Sequence, residues 1–460
     1  MLDEVRFMSL GGLSDVGCKN CYALLYKGKA YLFDCGQEIP DGNEEFNPSR
    51  HVPDFSLLIG KVSEVVAIVI SHPHLDHIGA LGEFRVFYET HFPDKPMPAI
   101  LVSDYSARVI RTMETFTMEH WTKERRQKEK VPEHKRVSEF LKVVQEYQTL
   151  RVGDAELFFF PVIHSTPGSR GCSVNVGAKR VVYLGDFKGQ GLPEETRIFE
   201  RDLEKPEVRS PDVLLLDATG ADKEGISPSD YDAFIEVARV IRDNNHGRIL
   251  VALFASHAKR VESIAYLVAK QTQRPVYING RSLFMYTSER ITESGILRNL
   301  LKYPQKRWHE RVPYDAVIFV TGAQGEPNAV LNRLERLYPH RLHLGSNDAV
   351  IFSASTIPGN EPDVEVLLEK LSATGCTIYL PTEPDGSPHR LTKHAGKNAV
   401  SGMFHVSGHG HREDLERTVG MIGPRKIIPV HAGQSRRARV RDLFPDRQVL
   451  VLREHEEVVL

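Results

Sequence analysis

One stretch of this 460-residue chain decides its fold: Ser71-His72-Pro73-His74-Leu75-Asp76-His77-Ile78-Gly79. It places three imidazoles and one carboxylate within six residues, directly after the apolar, β-branched residues 65–70, whose pattern predicts a buried strand. The carboxyl end of such a strand is where α/β folds usually carry their chemistry. Three histidines and an aspartate suit zinc or a similar metal. The stretch therefore predicts a metal centre at a strand end, with a loop of solvated histidines as the alternative.

The bulk composition is that of an ordinary globular protein. Apolar residues make up 41% and charged residues 26%, and the length allows two or three domains. The sequence has no apolar stretch long enough to span a bilayer and no signal-peptide pattern. Five cysteines without framework spacing predict a reducing, cytoplasmic location. A net charge of −2 argues against a globally basic nucleic-acid binder, although a local basic channel with bound metals would be sufficient for a nuclease.

Further residues of metal-ligand type follow apolar runs elsewhere in the chain. Each comes directly after a segment with a strand pattern, so strands that share a direction would bring all of them to one rim of a sheet. A polar strand cap explains any single case, but the recurrence favours a shared metal site. These residues are Asp34, His164, Asp186, Asp217 and His431.

The character of the sequence changes along the chain. Residues 104–150 favour helix and are strongly charged, notably over 121–130, which indicates either solvated helix faces or a surface that follows phosphates. From about residue 217, helix and strand patterns alternate, which predicts an α/β unit with a mostly parallel sheet. After a turn-rich stretch at 382–388, residues 404–406 predict a strand and a helix begins at about Glu413.

In its order of motifs the sequence resembles the metallo-β-lactamase fold. Asp34, the stretch from His72 to His77, His164 and Asp186 match that motif series, and Asp217, His409 and His431 match the three additional motifs of the β-CASP nucleic-acid-processing branch. Over about residues 7–433 the chain resembles the ribonuclease J family. The stretches that carry this resemblance are Leu10-Gly11-Gly12-Leu13-Ser14-Asp15-Val16-Gly17, Tyr183-Leu184-Gly185-Asp186-Phe187-Lys188, Phe254-Ala255-Ser256-His257, Thr321-Gly322-Ala323-Gln324-Gly325-Glu326-Pro327, Ile351-Phe352-Ser353-Ala354-Ser355-Thr356-Ile357-Pro358-Gly359-Asn360-Glu361 and His405-Val406-Ser407-Gly408-His409-Gly410.

The resemblance implies an α/β protein in which a metallo-β-lactamase αββα sandwich is interrupted by an inserted β-CASP α/β domain. Residues 1–216 and 391–460 would form the two parts of the metallo-β-lactamase domain and residues 217–390 the β-CASP domain, with the active site and substrate channel at their junction. The sequence ends soon after His431, so we expect a short form without the family's C-terminal domain, and any homodimer is expected to form without it.

Two positions depart from the family pattern. Gly168 stands where the family usually has Asp, and Ala432-Gly433-Gln434 follows His431 where Gly-Glu is usual. The departures leave the ligand residues intact but leave open the exact substrate and partner.

The family pattern implies two divalent metal ions, which together can activate a water and neutralise a phosphate. Histidines favour zinc, and the carboxylates also permit manganese. One ion would be held by His72, His74, His164 and Asp186, and the other by Asp76, His77, Asp186 and His431. The implied catalytic residues are Asp76, His409 as general acid, and Asp217, which orients His409. Asp34 is implied as support for the His-rich loop.

The expected function is that of a metal-dependent ribonuclease. Ser256, His257, His405, Ser407 and Gly408 are implied to bind a 5′-monophosphate of single-stranded RNA, which would favour 5′-to-3′ exonuclease action, with endonuclease action also open. Alternatively, the Gly and Ser residues only relieve a tight turn. The competing functions are a DNA-acting β-CASP nuclease, a small-molecule metallohydrolase and a non-catalytic nucleic-acid-binding scaffold. Asp217, His409 and the large insertion count against the small-molecule enzyme.

Overall fold

The computed structural model of the protein describes residues 3–14, 17–38, 46–124, 133–243, 247–293, 301–302, 312–327, 329–337, 343–357, 359–383 and 385–460. The chain forms two compact units. The first comprises Met1–Ser227 together with Gly408–Leu460, and the second comprises Pro228–Ser407. The sequence predicts that the inserted domain comprises residues 217–390. By its internal contacts, the second unit begins and ends later in the chain, at Pro228 and Ser407.

The first unit begins with a series of strands that alternate with a few helices. These elements are β1 (Arg6–Gly11), β2 (Cys21–Tyr26), β3 (Lys29–Phe33), α1 (Pro48–His51), β4 (Glu64–Val69), α2 (Leu75–Ile78), α3 (Leu81–His91), β5 (Ala99–Val102), α4 (Asp104–Glu124), β6 (Leu141–Val143), β7 (Thr149–Val152), β8 (Ala155–Pro161), β9 (Arg170–Val176), β10 (Lys179–Tyr183), α5 (Pro193–Leu203) and β11 (Val213–Asp217).

The second unit alternates helix and strand. Its elements are α6 (Asp230–Asp243), β12 (Ile249–Ala252), α7 (Ala258–Gln271), β13 (Val276–Asn279), α8 (Arg281–Glu293), β14 (Leu301–Lys302), β15 (Val317–Val320), α9 (Val330–Leu337), β16 (Ala349–Phe352), α10 (Glu361–Ala373), β17 (Thr377–Pro381) and β18 (Ala399–Gly402). The chain then returns to the first unit with α11 (Arg412–Ile422), β19 (Lys426–Val430), α12 (Gln434–Leu443), β20 (Gln448–Val449) and β21 (Glu457–Val459).

Two mixed sheets form the centre of the first unit. Their strand orders are β21-β1-β2-β3-β4-β5-β6 and β20-β19-β11-β10-β9-β8-β7. Side chains such as Phe33 and Phe159 fill the space between the sheets. The outer face of the first sheet packs against α3 and α4, and that of the second sheet packs against α5, α11 and α12. This four-layer arrangement confirms the expected αββα sandwich.

The strand directions explain why the ligand-type residues share one edge of the sandwich. In the first sheet β3 runs parallel to β4, so Asp34 and the His-rich stretch leave the sheet at the same end. In the second sheet β10, β11 and β19 are parallel. β8 shares their direction because it is antiparallel to β9, which is antiparallel to β10. The residues that follow these strands therefore emerge together.

The second unit is built on an entirely parallel sheet of order β14-β13-β15-β12-β16-β17-β18. α6, α7 and α8 pack on one face and α9 and α10 on the other. Such a doubly covered sheet needs strands that are apolar on both faces, and β12, β15 and β16 are buried throughout. The predicted α/β character of this part is confirmed.

Two local predictions are wrong. Beyond Glu124 the described part of residues 104–150 forms two three-residue 3-10 turns, at Glu133–Lys135 and Ser138–Phe140, and then β6 and the start of β7 rather than a continued α-helix. The charged side chains of 121–130 lie outside the described residues. Residues 404–406 are not a strand, because β18 ends at Gly402. Side chains satisfy the backbone there: the Ser353 hydroxyl donates to the Phe404 carbonyl and Arg260 donates to the Val406 carbonyl. Within the described residues, the structure has no helix long and apolar enough to cross a membrane.

Arg260 is the largest fully buried side chain in the second unit. Its guanidinium donates to the Ser353 carbonyl at 2.9 Å, to the Val406 carbonyl at 3.0 Å and to an Asp230 carboxylate oxygen at 3.1 Å. It thereby ties the loop after β16 and the segment after β18 to the start of α6.

We expect Arg260→Met to destabilise the second unit by about 3–5 kcal/mol, because it leaves the partly buried Asp230 without its cation and two carbonyls without a donor. Urea unfolding followed by circular dichroism measures the change. Arg239→Met is the matched control, since Arg239 pairs with Glu236 on the exposed side of α6 and should change stability by at most about 0.5 kcal/mol. Equal effects of the two substitutions would contradict this assignment.

Candidate metal centre

The carboxylate of Asp186 lies at the centre of the ligand-type residues of the first unit. Its Oδ2 atom is 3.6 Å from His72 Nε2, 3.3 Å from His77 Nε2, 3.9 Å from His164 Nε2 and 3.5 Å from His431 Nε2. All five side chains are buried. Four ring nitrogens thus converge on one carboxylate.

The convergence produces two overlapping groups whose ligand atoms could each hold a metal ion. The first consists of His72, His74, His164 and Asp186, and the second of Asp76, His77, Asp186 and His431. In the first group, His164 Nε2 lies 3.4 Å from His74 Nδ1. In the second, Asp76 Oδ2 lies 3.1 Å from His431 Nε2 and 3.5 Å from His77 Nε2. Asp186 is common to both groups.

Hydrogen bonds at Nδ1 orient four of the five histidines. His77 Nδ1 contacts Asp34 at 2.7 Å, and His164 Nδ1 contacts the Gly408 carbonyl at 2.9 Å. His431 Nδ1 contacts the Thr219 hydroxyl at 2.8 Å, and His72 Nδ1 contacts the Ser71 hydroxyl at 3.0 Å. In each case the bond directs Nε2 towards Asp186. Outer partners of this kind fix ring orientation and tautomer in metal sites.

Asp34 accepts more hydrogen bonds than the other outer partners named here. Its Oδ2 accepts hydrogen bonds from the Ser71 hydroxyl, His77 Nδ1 and the Tyr183 hydroxyl, and its Oδ1 accepts from the Ser71 backbone N–H. Asp34 adopts a φ of 58°, a region that non-glycine residues rarely occupy. A strained backbone that persists under four hydrogen bonds indicates that the position of this carboxylate matters to the site.

The backbone around Gly36 lies against the His-rich stretch. A Cβ atom at Gly36 would lie 1.6 Å from the Asp76 carbonyl oxygen, so only glycine fits. The Asn20 side chain donates to the same carbonyl at 3.0 Å and lies 3.2 Å from His77 Nε2. The second group is therefore held from the side of β2 and β3 as well as by its own loop.

The pKa values of the histidines differ between the two groups. Burial lowers the pKa of His74 to about 4 and holds the pKa values of His72 and His164 well below the usual value. Burial acts in the same direction on His431, but nearby carboxylates, with Asp186 the largest contributor, outweigh it and raise that pKa to about 10. The first group therefore presents neutral imidazoles, whereas the second group requires positive charge beside its carboxylates.

A pair of divalent cations fits this donor set. His72 Nε2 and Asp186 Oδ1 are buried and have no hydrogen-bond partner among the described residues. Such atoms are costly to bury unless a ligand satisfies them. A cation would also supply the positive charge that the carboxylates of the second group need, and would displace the proton of His431. Nitrogen and carboxylate donors in this proportion suit zinc and also permit manganese.

His409 and Asp217 form a pair beside the two groups. His409 Nδ1 lies 2.7 Å from Asp217 Oδ2, and the other carboxylate oxygen of Asp217 accepts the Thr219 backbone N–H at 2.9 Å. The His409 ring lies 5.6 Å from that of His164 and 5.3 Å from that of His431, between centroids. His409 and Asp217 also form a third group with Asp186 and His431 in which ligand atoms approach one another closely.

The residues expected at a 5′-phosphate fall in both units. Ser256, His257, His405 and Ser407 belong to the second unit and Gly408 to the first. Within the second unit the His257 and His405 rings stack, with centroids 5.9 Å apart and planes at 7°. Arg260 lies 2.6 Å from His405 Nδ1 and orients that ring. Gly408 contributes its carbonyl to His164.

Several residues that complete the metal centre were not expected from the sequence. Asn20, Thr219 and Tyr183 orient ligands or their partners through hydrogen bonds. Tyr183 lies three residues before the candidate ligand Asp186, and Thr219 lies two residues after Asp217, the partner of His409. This closeness in the chain was the signal available from the sequence. Asn20 has no such neighbour, and only the pairing of β2 with β3 brings it to the site.

Comparison with known protein families assigns each part of the chain. Residues 30–252 match the beta-lactamase superfamily domain, residues 246–371 match the ribonuclease J beta-CASP domain, and residues 399–444 match the Zn-dependent metallo-hydrolase RNA specificity domain.

Similar proteins extend over almost the whole chain. Ribonuclease J of Mycolicibacterium smegmatis is 30% identical over 436 residues, which cover 93% of this chain and 68% of that protein. Ribonuclease J of Thermus thermophilus is 28% identical over 439 residues, covering 93% and 68%. Ribonuclease J2 of Bacillus subtilis is 25% identical over 441 residues, covering 93% and 69%. The chain thus spans about two thirds of the length of these relatives.

Among solved structures, a crystal structure of a protein of unknown function from Enterococcus faecalis V583 shares the fold. Its TM-score is 0.64 at 16% identity, and the match covers 99% of this chain and all of that one. The three domain matches and the 30% identity to the Mycolicibacterium smegmatis protein show that the chain belongs to the ribonuclease J family of metal-dependent hydrolytic nucleases, in the β-CASP branch of the metallo-β-lactamase superfamily.

Proposed function

We propose that this protein is a ribonuclease that uses two zinc ions to hydrolyse single-stranded RNA, chiefly by removing nucleotides from a 5′-monophosphorylated end. The observation that carries the proposal is the convergence of four histidine Nε2 atoms on Asp186, with the His409–Asp217 pair beside them. The RNA specificity domain at residues 399–444 contains His409 and His431, which favours RNA as the substrate. Five buried thiols support a reducing, cytoplasmic location.

His72, His74, His164 and Asp186 would hold one ion, and Asp76, His77, Asp186 and His431 the other. Bound divalent ions supply an activated water and neutralise charge on the phosphate. Asp76 would contribute to catalysis as a ligand of the second ion. Asp34, Ser71 and Thr219 keep the imidazoles in the tautomer that a cation requires.

His409 is suited to protonate the leaving oxygen. Because its Nδ1 is engaged by Asp217 at 2.7 Å, Nε2 is the nitrogen that can carry a proton to the substrate. The adjacent carboxylate accepts the Nδ1 proton and fixes the orientation of the ring, so the proton for the leaving oxygen is carried on Nε2. The histidines of the two metal groups cannot serve in this way, since an imidazole that binds a cation has no proton on the coordinating nitrogen.

The second unit supports the proposed recognition of a 5′-phosphate. His257 and His405 present stacked imidazoles, and Ser256 adds a hydroxyl next to His257 in the chain. Imidazole and hydroxyl groups donate hydrogen bonds to phosphate oxygens. The buried guanidinium of Arg260 contacts His405 and adds positive charge behind that ring.

Metal content tests the two-ion proposal. We expect chelator-treated protein to take up two zinc ions per chain on reconstitution, and His431→Ala to take up only one, because His431 is a candidate ligand of the second ion and not of the first. Elemental analysis after gel filtration measures both. His394→Ala is the matched control: His394 pairs with Glu369 in the second unit, and its loss should leave two ions. Fewer than one ion in the unaltered protein would contradict the proposal.

Asp34→Asn tests the outer hydrogen bonds. An amide of the same size cannot accept all the bonds that the carboxylate accepts, so we expect zinc affinity to fall about 10–100-fold while the protein stays folded. Competition with a chromophoric chelator measures the affinity. Asp154→Asn is the control, because Asp154 pairs with Lys29 on the surface of the same unit. Unchanged affinity in Asp34→Asn would remove Asp34 from the metal centre.

His409→Ala tests the general acid. We expect turnover of RNA to fall roughly 10²–10⁴-fold while zinc content stays at two ions, because the substitution removes a proton donor and no ligand. Turnover and zinc content are measured on the same preparation. Loss of an ion together with activity would show that His409 is a ligand, as its place in the third group permits.

RNAs that differ only at the 5′ end test whether the enzyme acts as an exonuclease or an endonuclease. We expect single-stranded RNA with a 5′-monophosphate to be degraded faster than the same RNA with a 5′-triphosphate or a 5′-hydroxyl, and mononucleotides to be early products. His257→Ala should reduce this preference. DNA of the same sequence serves as the comparison substrate. Equal rates for the three 5′ ends, with internal fragments appearing first, would instead identify an endonuclease that ignores the terminus.

A further inference from the structure

A cavity of about 430 Å³ lies at the carboxyl edge of the parallel sheet in the second unit. Its walls come from the segments that follow β12, β13 and β15. The polar side chains around it belong to Arg281, Ser282, Thr321, Gln324, Glu326 and Arg333. None of these residues belongs to the metal centre or to the expected 5′-phosphate contacts.

The topology of the sheet creates this cavity. β13 and β15 are parallel neighbours, yet the helices that follow them leave in opposite directions. α8 packs through Leu283 on the face that carries α7, whereas α9 packs through Leu331 and Leu334 on the face that carries α10. Where consecutive connections diverge in this way, a crevice opens outside the carboxyl ends of the strands, and α/β proteins bind ligands there.

The crevice is narrow where the two connections separate. Gly280 follows β13 with a φ of 145°, and a Cβ atom at this position would lie 3.1 Å from Thr321 Cγ2 and 3.2 Å from Thr321 Oγ1. The absence of a side chain at Gly280 keeps the first residues of α8 beside Thr321. Arg281 and Ser282 at the start of α8 and Thr321 after β15 are thereby brought to the same cavity.

The charges around the cavity favour an anion. Among the described residues that line the cavity, Arg281 and Arg333 are cationic and Glu326 is acidic, and Glu326 accepts the Gln324 backbone N–H at 3.0 Å. Thr321 Oγ1 accepts the Val330 backbone N–H, which leaves its proton to donate. Guanidinium groups offer paired N–H donors that match phosphate oxygens.

The remaining wall is apolar. Leu253, Phe254, Ala323, Ala329 and Val330 line it. A volume of about 430 Å³ lies within the range of about 300–1,000 Å³ that is typical of small-molecule pockets. A ligand that is anionic at one end and flat and apolar at the other suits such a cavity.

We propose that this cavity binds a nucleotide, with the phosphate on Arg281, Arg333 and Thr321 and the base against the wall formed by Phe254 and Val330. The nucleotide is either a unit of an RNA strand or a free nucleoside monophosphate. The site requires neither metal binding nor a preference for the 5′ end, so it stands independently of the proposed nuclease mechanism.

Calorimetric titration of the full chain tests the site with metals removed by chelator, so that no RNA is hydrolysed. The probes are adenosine 5′-monophosphate and a ten-nucleotide single-stranded RNA with a 5′-hydroxyl. We expect Arg281→Ala and Arg333→Gln each to weaken binding of at least one probe about tenfold, the effect of losing a charge-assisted phosphate contact. Arg281 is exposed, so Arg281→Ala should fold even if Arg333→Gln does not.

Two control variants test whether the loss of binding is specific to the cavity. Arg239→Gln removes an exposed arginine of the same unit that does not line the cavity and should leave both affinities unchanged. His257→Ala removes an expected 5′-phosphate contact, so any loss of monophosphate binding that it causes should be independent of the loss in Arg281→Ala and additive to it in the double variant. Weakening of the monophosphate alone assigns the cavity to a free nucleotide, and weakening of the RNA assigns it to the strand.

Three results would overturn the proposal: no saturable binding of either probe to the unaltered protein, unchanged affinities in Arg281→Ala, or an equal loss in Arg239→Gln. None of these results bears on the His409 and zinc experiments, so the two proposals fail separately.

Discussion

The buried carboxylate of Asp186 is the constraint on which the first unit depends. Four histidine Nε2 atoms lie within 3.9 Å of its Oδ2, and the side chain is only 3% exposed. A lone buried carboxylate would be strongly unfavourable, so the surrounding imidazoles stabilise it, and a bound cation would stabilise it further. The same charge arrangement that stabilises the fold therefore prepares the site for metal ions.

A second layer of contacts turns this cluster into an ordered site. Asp34, Ser71, Thr219 and the Gly408 carbonyl each engage a histidine Nδ1, so the opposite nitrogen faces Asp186. Both Asp34 and His431 adopt a positive φ, of 58° and 59°. Strain of this kind persists only where surrounding contacts hold the backbone, and here the contacts come from both sheets.

The two units place their functional groups by the same physical rule. In the sandwich, strands that share a direction bring the candidate ligand residues to one edge, because these residues lie at or just beyond the ends of buried strands. In the second unit, all strands are parallel and the carboxyl edge again gathers polar residues, this time around a crevice opened by diverging helices. Apolar strands fix the position of these residues, and the segments that follow the strands carry the chemistry.

The sequence by itself determined which candidate site residues lie at one edge of the sandwich. Asp34, His164, Asp186, Asp217 and His431 each follow an apolar run, and the covalent link to a buried strand places them at its end whatever the neighbours are. The same local pattern gave a wrong prediction at residues 404–406. An apolar segment has the same sequence pattern whether its carbonyls accept hydrogen bonds from a neighbouring strand or, as here, from the side chains of Ser353 and Arg260.

Only the tertiary structure decided which partners hold these residues. β11 lies between β10 and β19, and this order brings Thr219 to His431 although they are far apart in the chain. Asn20 reaches Asp76, and Tyr183 reaches Asp34 from the opposite sheet, by the same means. Such contacts depend on strand order and register, which no local pattern encodes. The sequence therefore specified the candidate ligand residues, and the packing of the two sheets specified their geometry.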